Sequence, residues 1–231
     1  MAGDTRNTTD APPIAATPID IEAVRRKYRR NAVFYNLVDR PLRYVRARAT
    51  AALELRPGDC ALDFGCGTGL SFDLIERALG AEGRVIGVDV SPDMLSRARA
   101  RIAEREWTNV TLIEASVEAV ELEPASVDAV LCFYTHDIMN SPIALEKALA
   151  ALRPGGRFVA AGVKRTTGAR GLLLNPLTTA YSRTAVTSFA NFDRPWVHLD
   201  HLLGHLVIED QLWGTAYIAR GTKREAVSPV E

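Results

Sequence analysis

The feature that most constrains this fold is a glycine-rich turn between an apolar run and an amphipathic segment. Residues 60–64 form the apolar run, and residues 70–79 repeat their leucines and isoleucine at helical spacing. This order predicts a strand, a turn and a helix. Glycine can adopt a positive φ and lets a ligand lie against the backbone, while the free N–H groups of the new helix face the same place. The turn therefore predicts a nucleotide-like ligand beside Gly65, Gly67 and Gly69.

The spacing of the glycines bears on which ligand this is. The dinucleotide fingerprint is G-x-G-x-x-G, but here the third glycine comes one residue early and Leu70 occupies the dehydrogenase position. A nicotinamide oxidoreductase is therefore disfavoured. Asp89 ends a second apolar run, twenty residues after Gly69. A carboxylate at the end of a strand can accept two hydrogen bonds from a ribose diol.

Asp63, the G-x-G-x-G turn and Asp89 together resemble the class I S-adenosylmethionine-dependent methyltransferases. The stretches 87–95 and 152–158, GVDVSPDML and LRPGGRF, resemble those of the ubiquinone and menaquinone type, which methylates small molecules or lipids. The resemblance covers about residues 30–165. It implies S-adenosylmethionine as cofactor. It also implies a Rossmann-like α/β fold, doubly wound around a mostly parallel seven-stranded sheet. N-terminal helices and a cap inserted before the last two strands would complete this fold.

The resemblance also implies roles for individual residues. Asp89 would bind the ribose, and Asp63 and the three glycines would lie at the methionine and ribose. The family commonly has an acidic adenine acceptor after the third strand, where this chain has Ser116, with Val117 flanking the adenine. A tyrosine before the turn often covers the methionine end, which makes Tyr28 and Tyr35 candidates.

The chemistry is expected at the end of the most apolar strand, Val127 to Phe133. Ligands of doubly wound sheets bind outside the carboxyl ends of the strands, and this strand leads into Tyr134, Thr135, His136 and Asp137. We predict His136 as a general base, because histidine titrates near neutral pH. The alternative is a structural histidine bonded to backbone or to Asp137. The predicted substrate-facing residues are Tyr134, Asp137, Trp196 and His198.

The chain is expected to form one domain between two tails. Residues 1–18, rich in Thr, Ala, Pro and Asp, are expected to be disordered, residues 19–222 to form the domain, and residues 223–231 a second tail. Within the domain, residues 164–204 should form a substrate cap of short helices. Residues 206–212 and 215–219 alternate as a closing hairpin that turns at Gly214.

No metal site is predicted. His198, His201 and His205 are spaced as on one helical face, but Gly204 should end that helix before His205. The three cysteines, Cys60, Cys66 and Cys132, show no C-x-x-C spacing and lie in or beside apolar strands, which indicates buried thiols. With no apolar run long enough for a membrane span, a cytoplasmic protein is expected.

The formal net charge is zero, so any attraction to an anionic partner must be local. Basic residues are dense in two predicted helices, residues 21–38 and 41–55, and form either a solvated face or a surface for an anionic substrate, lipid headgroups or RNA. No aromatic motif of an RNA-binding module accompanies them, so nucleic acid is not expected. The set comprises Arg25, Arg26, Lys27, Arg29, Arg30, Arg40, Arg43, Arg46 and Arg48.

The predicted function is S-adenosylmethionine-dependent O-, N- or C-methylation of a small organic acceptor. One alternative is a phospholipid N-methyltransferase of the phosphatidylethanolamine type, with peripheral lipid contact through the basic N-terminal helices. Another is a non-catalytic cofactor-binding subunit, which the serine at position 116 would suit. The oligomeric state is left open.

Overall fold

A computed structural model describes residues 19–22, 42–183 and 188–224. Its centre is a seven-stranded sheet with the strand order β3-β2-β1-β4-β5-β7-β6. Strands β1 to β5 are parallel, and β7 is antiparallel to both of its neighbours, β5 and β6. The predicted seven-stranded, mostly parallel sheet is confirmed. The strands are β1 (Cys60–Phe64), β2 (Arg84–Asp89), β3 (Val110–Glu114), β4 (Val127–Phe133), β5 (Leu152–Val163), β6 (Val207–Gln211) and β7 (Ala216–Thr222).

Helices cover both faces of this sheet, as a doubly wound fold requires. Helices α1, α2 and α3 pack on one face, and α4, α5 and α7 on the other. Every residue of β4 is buried, which agrees with its predicted place at the centre. The helices are α1 (Leu42–Ala51), α2 (Phe72–Leu79), α3 (Pro92–Glu104), α4 (His136–Met139), α5 (Pro142–Ala151), α6 (Ala169–Ser182) and α7 (Val197–Leu203).

Two Ser-Pro pairs begin helices as the sequence indicates. The Ser91 hydroxyl accepts from the backbone N–H of Met94 at 3.4 Å, and the Ser141 hydroxyl accepts from Ala144 at 3.2 Å. In each case the following proline occupies the first turn, where its missing N–H is not needed. These caps fix where α3 and α5 begin after their strands.

The fifth strand is longer than predicted. The sequence indicates a strand from Arg157, but β5 begins at Leu152, which pairs with Val127 before the register shifts at Ala129. The Pro-Gly-Gly turn is thus a distortion within the strand, with Gly155 at φ 74°. Lys223 fastens this region, because its Nζ donates to the carbonyls of Leu149 and Leu152, each at 2.7 Å.

The closing hairpin forms as expected, and two helices lie in the segment predicted to be a cap. Strands β6 and β7 are joined by a short 3₁₀ turn, Leu212–Gly214. Helices α6 and α7 lie between β5 and β6 in the chain, and Gly204 ends α7 before His205 with φ 76°. All three cysteines are free and buried. Within the described part of the chain, no helix is long and apolar enough to cross a membrane.

Arg46 departs from the sequence interpretation. Solvent exposure was one of the interpretations of the basic set, but Arg46 is buried on α1 with only 8% exposure. Its guanidinium lies 4.2 Å from the centre of the Phe133 ring, and Nη1 donates to the Ser71 hydroxyl at 3.1 Å. The aromatic face and the hydroxyl compensate for part of the lost hydration. Arg25 to Arg40 of that set lie outside the described residues.

Candidate functional site

A cleft opens at the carboxyl ends of β1, β2 and β4, where the strand order reverses direction. The cleft is open to solvent, and its empty volume is about 760 Å³. This is the place where doubly wound sheets bind ligands. The lining residues are Ile19, Ile21, Gly65, Gly67, Asp89, Val90, Met94, Ser116, Val117, Phe133, Tyr134, Thr135, His136, Asp137 and Ile138.

The glycine turn forms the floor of this cleft. Gly65, Gly67 and Gly69 all adopt positive φ, at 88°, 54° and 73°. At Gly65 an added Cβ would lie only 2.5 Å from the Cγ2 atom of Thr135, so the backbone needs glycine there for space as well as for conformation. The N–H groups of Gly65 and Cys66 both donate to the carbonyl of Val88, at 2.8 and 3.0 Å, and so fix the turn to β2.

Asp89 holds two backbone segments of the site together. Its Oδ2 accepts the N–H of Gly67 at 2.8 Å, and its Oδ1 accepts the N–H of Ser91 at 2.9 Å. Burial raises the pKa of Asp89, while the hydrogen bonds from Ser91 and Gly67 oppose this rise. Each carboxylate oxygen has a second lone pair that can accept from a ligand. Asp89 therefore positions the glycine turn while its carboxylate faces the cleft.

Asp63 lies inside β1, behind the glycine turn. Burial raises its pKa to about 7, with Arg46 acting to lower the pKa and Asp89 to raise it further. Its Oδ2 atom is buried and has no hydrogen-bond partner. A buried carboxylate oxygen without a partner is costly, and it is a ready acceptor for a cationic or N–H group of a ligand.

His136 begins α4 and faces the cleft at the end of β4. Its Nε2 lies 2.9 Å from the carbonyl oxygen of Ala190, a residue of the cap. Nδ2 of Asn140 is also 2.9 Å from Nε2, and it donates to the backbone carbonyl of His136 at 3.0 Å. We assign the proton to Nε2, since the Ala190 carbonyl can only accept; the Asn140 amide then donates to the His136 carbonyl and not to Nε2. Nδ1 then carries the lone pair.

The state of this histidine follows from its surroundings. Burial lowers the pKa of His136, and the charge of Asp137 and the Ala190 carbonyl partly oppose that shift. The ring is therefore neutral at neutral pH. The centres of the imidazole and Phe192 rings lie 5.2 Å apart in an edge-to-face arrangement. The cap therefore also packs against the imidazole. A neutral imidazole with a free lone pair can accept a proton.

A chain of polar side chains joins His136 to the cap. Asn191 donates to Oδ1 of Asn140 at 2.7 Å, and its Nδ2 lies 3.5 Å from Nε2 of His198. Asn191 adopts φ 53°, a left-handed conformation that asparagine tolerates better than most residues. The cap thus meets α4 through Ala190, Asn191 and Phe192.

Tyr134 links the central strand to the helix that carries His136. Its φ of 60° is rare for a residue with a side chain, and its N–H donates to the carbonyl of Ala161 at 2.7 Å. The ring lies 4.7 Å from that of Phe133. After this turn, the side chains of Tyr134, His136 and Asp137 all line the cleft.

The cleft brings together most of the residues predicted for the site. Those that line it are Gly65, Gly67, Asp89, Ser116, Val117, Tyr134, His136 and Asp137. Asp63, Gly69, Trp196 and His198 are outside the lining. Trp196 packs 5.0 Å from the ring of Tyr217, and His198 is on α7, where burial and the nearby His201 lower its pKa. Tyr28 and Tyr35 lie outside the described residues.

Sequence reasoning missed several residues of the site. Asn140 and Asn191 carry no local signal, because their role depends on a contact across 51 positions of the chain. Ile19 and Ile21 contribute apolar surface to the cleft from a short segment before the sheet. Glu118, two residues after Ser116, is outside the lining, and its carboxylate accepts from the Ser141 hydroxyl and the Ile19 N–H at 2.5 and 3.4 Å.

Comparison with known proteins agrees with this geometry. Residues 61–156 match the family model described as a methyltransferase domain. This stretch is therefore a methyltransferase domain, similar to those of the class I S-adenosylmethionine-dependent type. The matched residues include the glycine turn, Asp89 and His136. The resemblance noted in the sequence is confirmed.

Relatives of this methyltransferase domain include enzymes with different acceptors in their names. A demethylmenaquinone methyltransferase of Lactococcus lactis is 35% identical over 118 residues, covering 49% of this chain and 46% of that protein. A ubiquinone biosynthesis O-methyltransferase of Xanthomonas campestris is 35% identical over 129 residues, 55% of this chain and 53% of that protein. An arsenite methyltransferase of Halobacterium salinarum is 32% identical over 122 residues, 50% of this chain and 30% of that protein. The matches thus span about half or less of each relative.

Solved structures share the fold of the methyltransferase domain. An S-adenosylmethionine-dependent O-methyltransferase of Thermotoga maritima has a TM-score of 0.57 at 18% identity, covering 80% of this chain and 66% of that chain. An S-adenosylmethionine-dependent methyltransferase of Aquifex aeolicus has a TM-score of 0.53 at 17% identity, covering 72% of this chain and 82% of that chain. At these identities the likeness is one of fold.

The residues of the cleft fit S-adenosylmethionine, the cofactor of this class of domain. The cofactor carries a sulfonium and an ammonium cation, and the described lining residues include two carboxylates, Asp89 and Asp137, but no lysine or arginine. The positive-φ glycines provide a close approach to backbone, and Asp63 adds an unsatisfied acceptor behind them. The charge and the shape of the cleft both suit this cofactor.

Proposed function

We propose that this protein transfers a methyl group from S-adenosylmethionine to a small organic acceptor. The observation that carries the proposal is that His136, a neutral histidine with a free ring nitrogen, lines the same cleft as the glycine turn and Asp89. When bound, the cofactor supplies a methyl group on a good leaving group, ready for in-line displacement. Most of the protein's work is then to position the acceptor and exclude water.

Residues of the cleft divide between cofactor and acceptor. Gly65, Gly67 and Asp89 would hold the cofactor's methionine and ribose, with Ser116 and Val117 beside the adenine. Asp63, although outside the lining, would attract the cofactor's cationic end from behind the turn. Acceptor contacts would come from Tyr134, Asp137 and His136. Trp196 would act indirectly, by packing the cap against Tyr217.

His136 would accept the acceptor's proton at Nδ1. Its Nε2–H keeps the bond to the Ala190 carbonyl in both charge states, so the ring does not have to turn during the reaction. The carboxylate of Asp137 favours the cationic ring that results. A hydroxyl, phenol or protonated amine is the kind of acceptor that needs such a base. Hence we propose O- or N-methylation as the chemistry best suited to this site.

A second candidate is methylation of an amphiphilic acceptor such as a phospholipid. Isoleucines 19, 21 and 138 add apolar surface to the cleft beside its two carboxylates, which would suit a molecule with a cationic head and an apolar tail. The same transfer assay separates the two candidates by where the label is found.

The test is a two-part measurement on the full chain. Calorimetric titration with S-adenosylmethionine measures binding, and transfer of labelled methyl is then followed into panels of phenols, amines and phospholipids. Label in phenols or amines supports the main proposal, and label in phospholipid supports the second candidate. Binding without transfer to any panel would favour a non-catalytic cofactor-binding subunit. Failure to bind the cofactor would overturn both proposals.

A further inference from the structure

Helix α6 in the cap leaves several apolar side chains exposed, while polar side chains on it face the protein. Polar residues face the protein, where Asn175 bonds the backbone N–H and carbonyl of Thr166 at 2.9 and 3.0 Å, and Ser182 is fully buried. The opposite side is apolar and faces solvent, with Leu172 and Leu173 86% and 75% exposed. A surface helix ordinarily buries its apolar side. The exposed residues along this side are Ala169, Leu172, Leu173, Pro176 and Ala180.

A large aromatic side chain extends this apolar surface. Trp213, in the turn between β6 and β7, is 79% exposed and is held at φ 56°, a left-handed conformation. The turn is close to α6, because Gly214 and Gly171 approach the same residue, Thr166. Tryptophan beside leucines at an exposed rim is the composition of interfacial membrane-binding surfaces.

The exposed charges at the two ends of α6 are cationic. Residues 164–192 contain four cationic residues and no acidic residue, but Lys164 is buried and pairs with Asp210 at 3.1 Å. Arg170 and Arg183 lie at the two ends of α6 and are exposed, so cations flank the apolar side at both ends. Arg165 follows β5, 4.0 Å from Asp193, a pair exposed at the surface and therefore weak. A basic rim around apolar side chains complements a layer of anionic headgroups over acyl chains.

We propose that α6 and Trp213 form a docking surface for an anionic lipid bilayer. The leucines and the tryptophan would enter the boundary between headgroups and acyl chains, and Arg170 and Arg183 would contact lipid phosphates. Because α6 follows the carboxyl end of β5, the docked face lies at the same end of the sheet as the cleft. The proposal concerns binding alone and does not depend on methyl transfer.

Flotation of the full chain with vesicles tests this surface. Binding is expected to vesicles containing phosphatidylglycerol, to weaken as salt is raised, and to be much weaker with pure phosphatidylcholine. The double variant Leu172→Ser with Leu173→Ser should lower the partition coefficient about tenfold or more. The matched control, Ile143→Ser on α5, removes another exposed aliphatic side chain and should leave partitioning unchanged.

Tryptophan emission supplies an independent readout. Adding anionic vesicles should shift the emission of the chain to shorter wavelength, and Trp213→Phe should abolish that shift. Thermal unfolding of each variant checks that it remains folded. Equal partitioning of the double variant and the control would overturn the proposal, as would the absence of binding to anionic vesicles. A dimer in solution that the double variant converts to monomer, without vesicle binding, would assign the surface to self-association instead.

Discussion

Nε2 of His136 lies 2.9 Å from the carbonyl oxygen of Ala190, which is 54 positions further along the chain. The ring is thereby held to the cap, and Phe192 of the cap packs against the same imidazole. Asn191, between them, bonds to Asn140 on the same turn of chain as His136. The predicted base and the predicted cap are therefore one structural unit.

Replacing His136 with alanine should separate catalysis from cofactor binding. Loss of a general base is expected to lower kcat about a hundredfold or more. The affinity for S-adenosylmethionine should be unchanged, because the glycine turn and Asp89 are intact. His201→Ala, which removes an exposed histidine of α7, is the control and should retain kcat. Full turnover of the His136 variant would leave this residue a structural role only.

The pH dependence of kcat/KM should report the same group. A base must be neutral to act, so activity falls as pH decreases through its pKa. Burial lowers the pKa of His136, which places this acidic limb below the ordinary value of about 6.5. Asp137→Asn removes a charge that raises the pKa, so the limb should move to still lower pH. An acidic limb with a pKa above the ordinary histidine value would contradict the assignment of His136 as the base.

Asp89→Asn should weaken cofactor binding and loosen the turn. The amide keeps one acceptor oxygen, so the backbone N–H of Gly67 or of Ser91 loses its partner. We expect a loss of about 1–3 kcal/mol in the binding free energy of S-adenosylhomocysteine, measured by calorimetry. Glu114→Gln, at the exposed end of β3, is the control. Unchanged affinity in the Asp89 variant would remove it from the cofactor site.

Two glycine variants can separate backbone conformation from space. Gly65 and Gly155 have similar positive φ values, but only Gly65 has neighbours within reach of an added Cβ. Gly155→Ala should cost about 1–2 kcal/mol in the free energy of unfolding, the cost of the left-handed conformation alone. Gly65→Ala should cost more and also abolish cofactor binding, because Thr135 and Ile138 would be displaced. Equal losses of unfolding free energy in the two variants would show that Thr135 moves away from the added Cβ at no cost.

Asp63 should make the stability of the cofactor-free protein depend on pH. Its pKa is about 7 in the folded chain and about 4 when unfolded, so the folded state binds the proton more tightly. The stability that this tighter proton binding contributes is fully present below about pH 4, and it is lost as the pH rises to about 7. Compared with Asp63→Asn, the native protein should therefore lose stability across that interval in urea unfolding. A constant difference between the two proteins would contradict the raised pKa.

Local patterns explain which parts of the fold could be predicted. The glycine turn, the Ser-Pro caps and the closing hairpin are set by residues close together in sequence, and all three form as expected. The position of the central strand followed from its high apolar content, with Asp128 as its one charged residue. Those features depend on propensity and spacing, which a single sequence contains.

The unpredicted features depend on contacts between distant parts of the chain. Arg46 belongs to a basic set, and only its packing against Phe133 and Ser71 distinguishes it from its neighbours. The bond between Asn140 and Asn191 requires the cap to fold back over α4. Residues 164–204 show no clear period, so the side of α6 that faces the protein becomes evident only from the bonds of Asn175 to Thr166.

The position of β7 between β5 and β6 gives the chain an order of assembly. Parallel strands β1 to β5 can associate as soon as each has been synthesised, and they include the glycine turn, Asp89 and His136. Strand β6 is made next but has no partner until β7 follows, because β7 separates it from β5. We therefore expect the cofactor half to become compact during translation, while the half that holds the cap waits for the last strand.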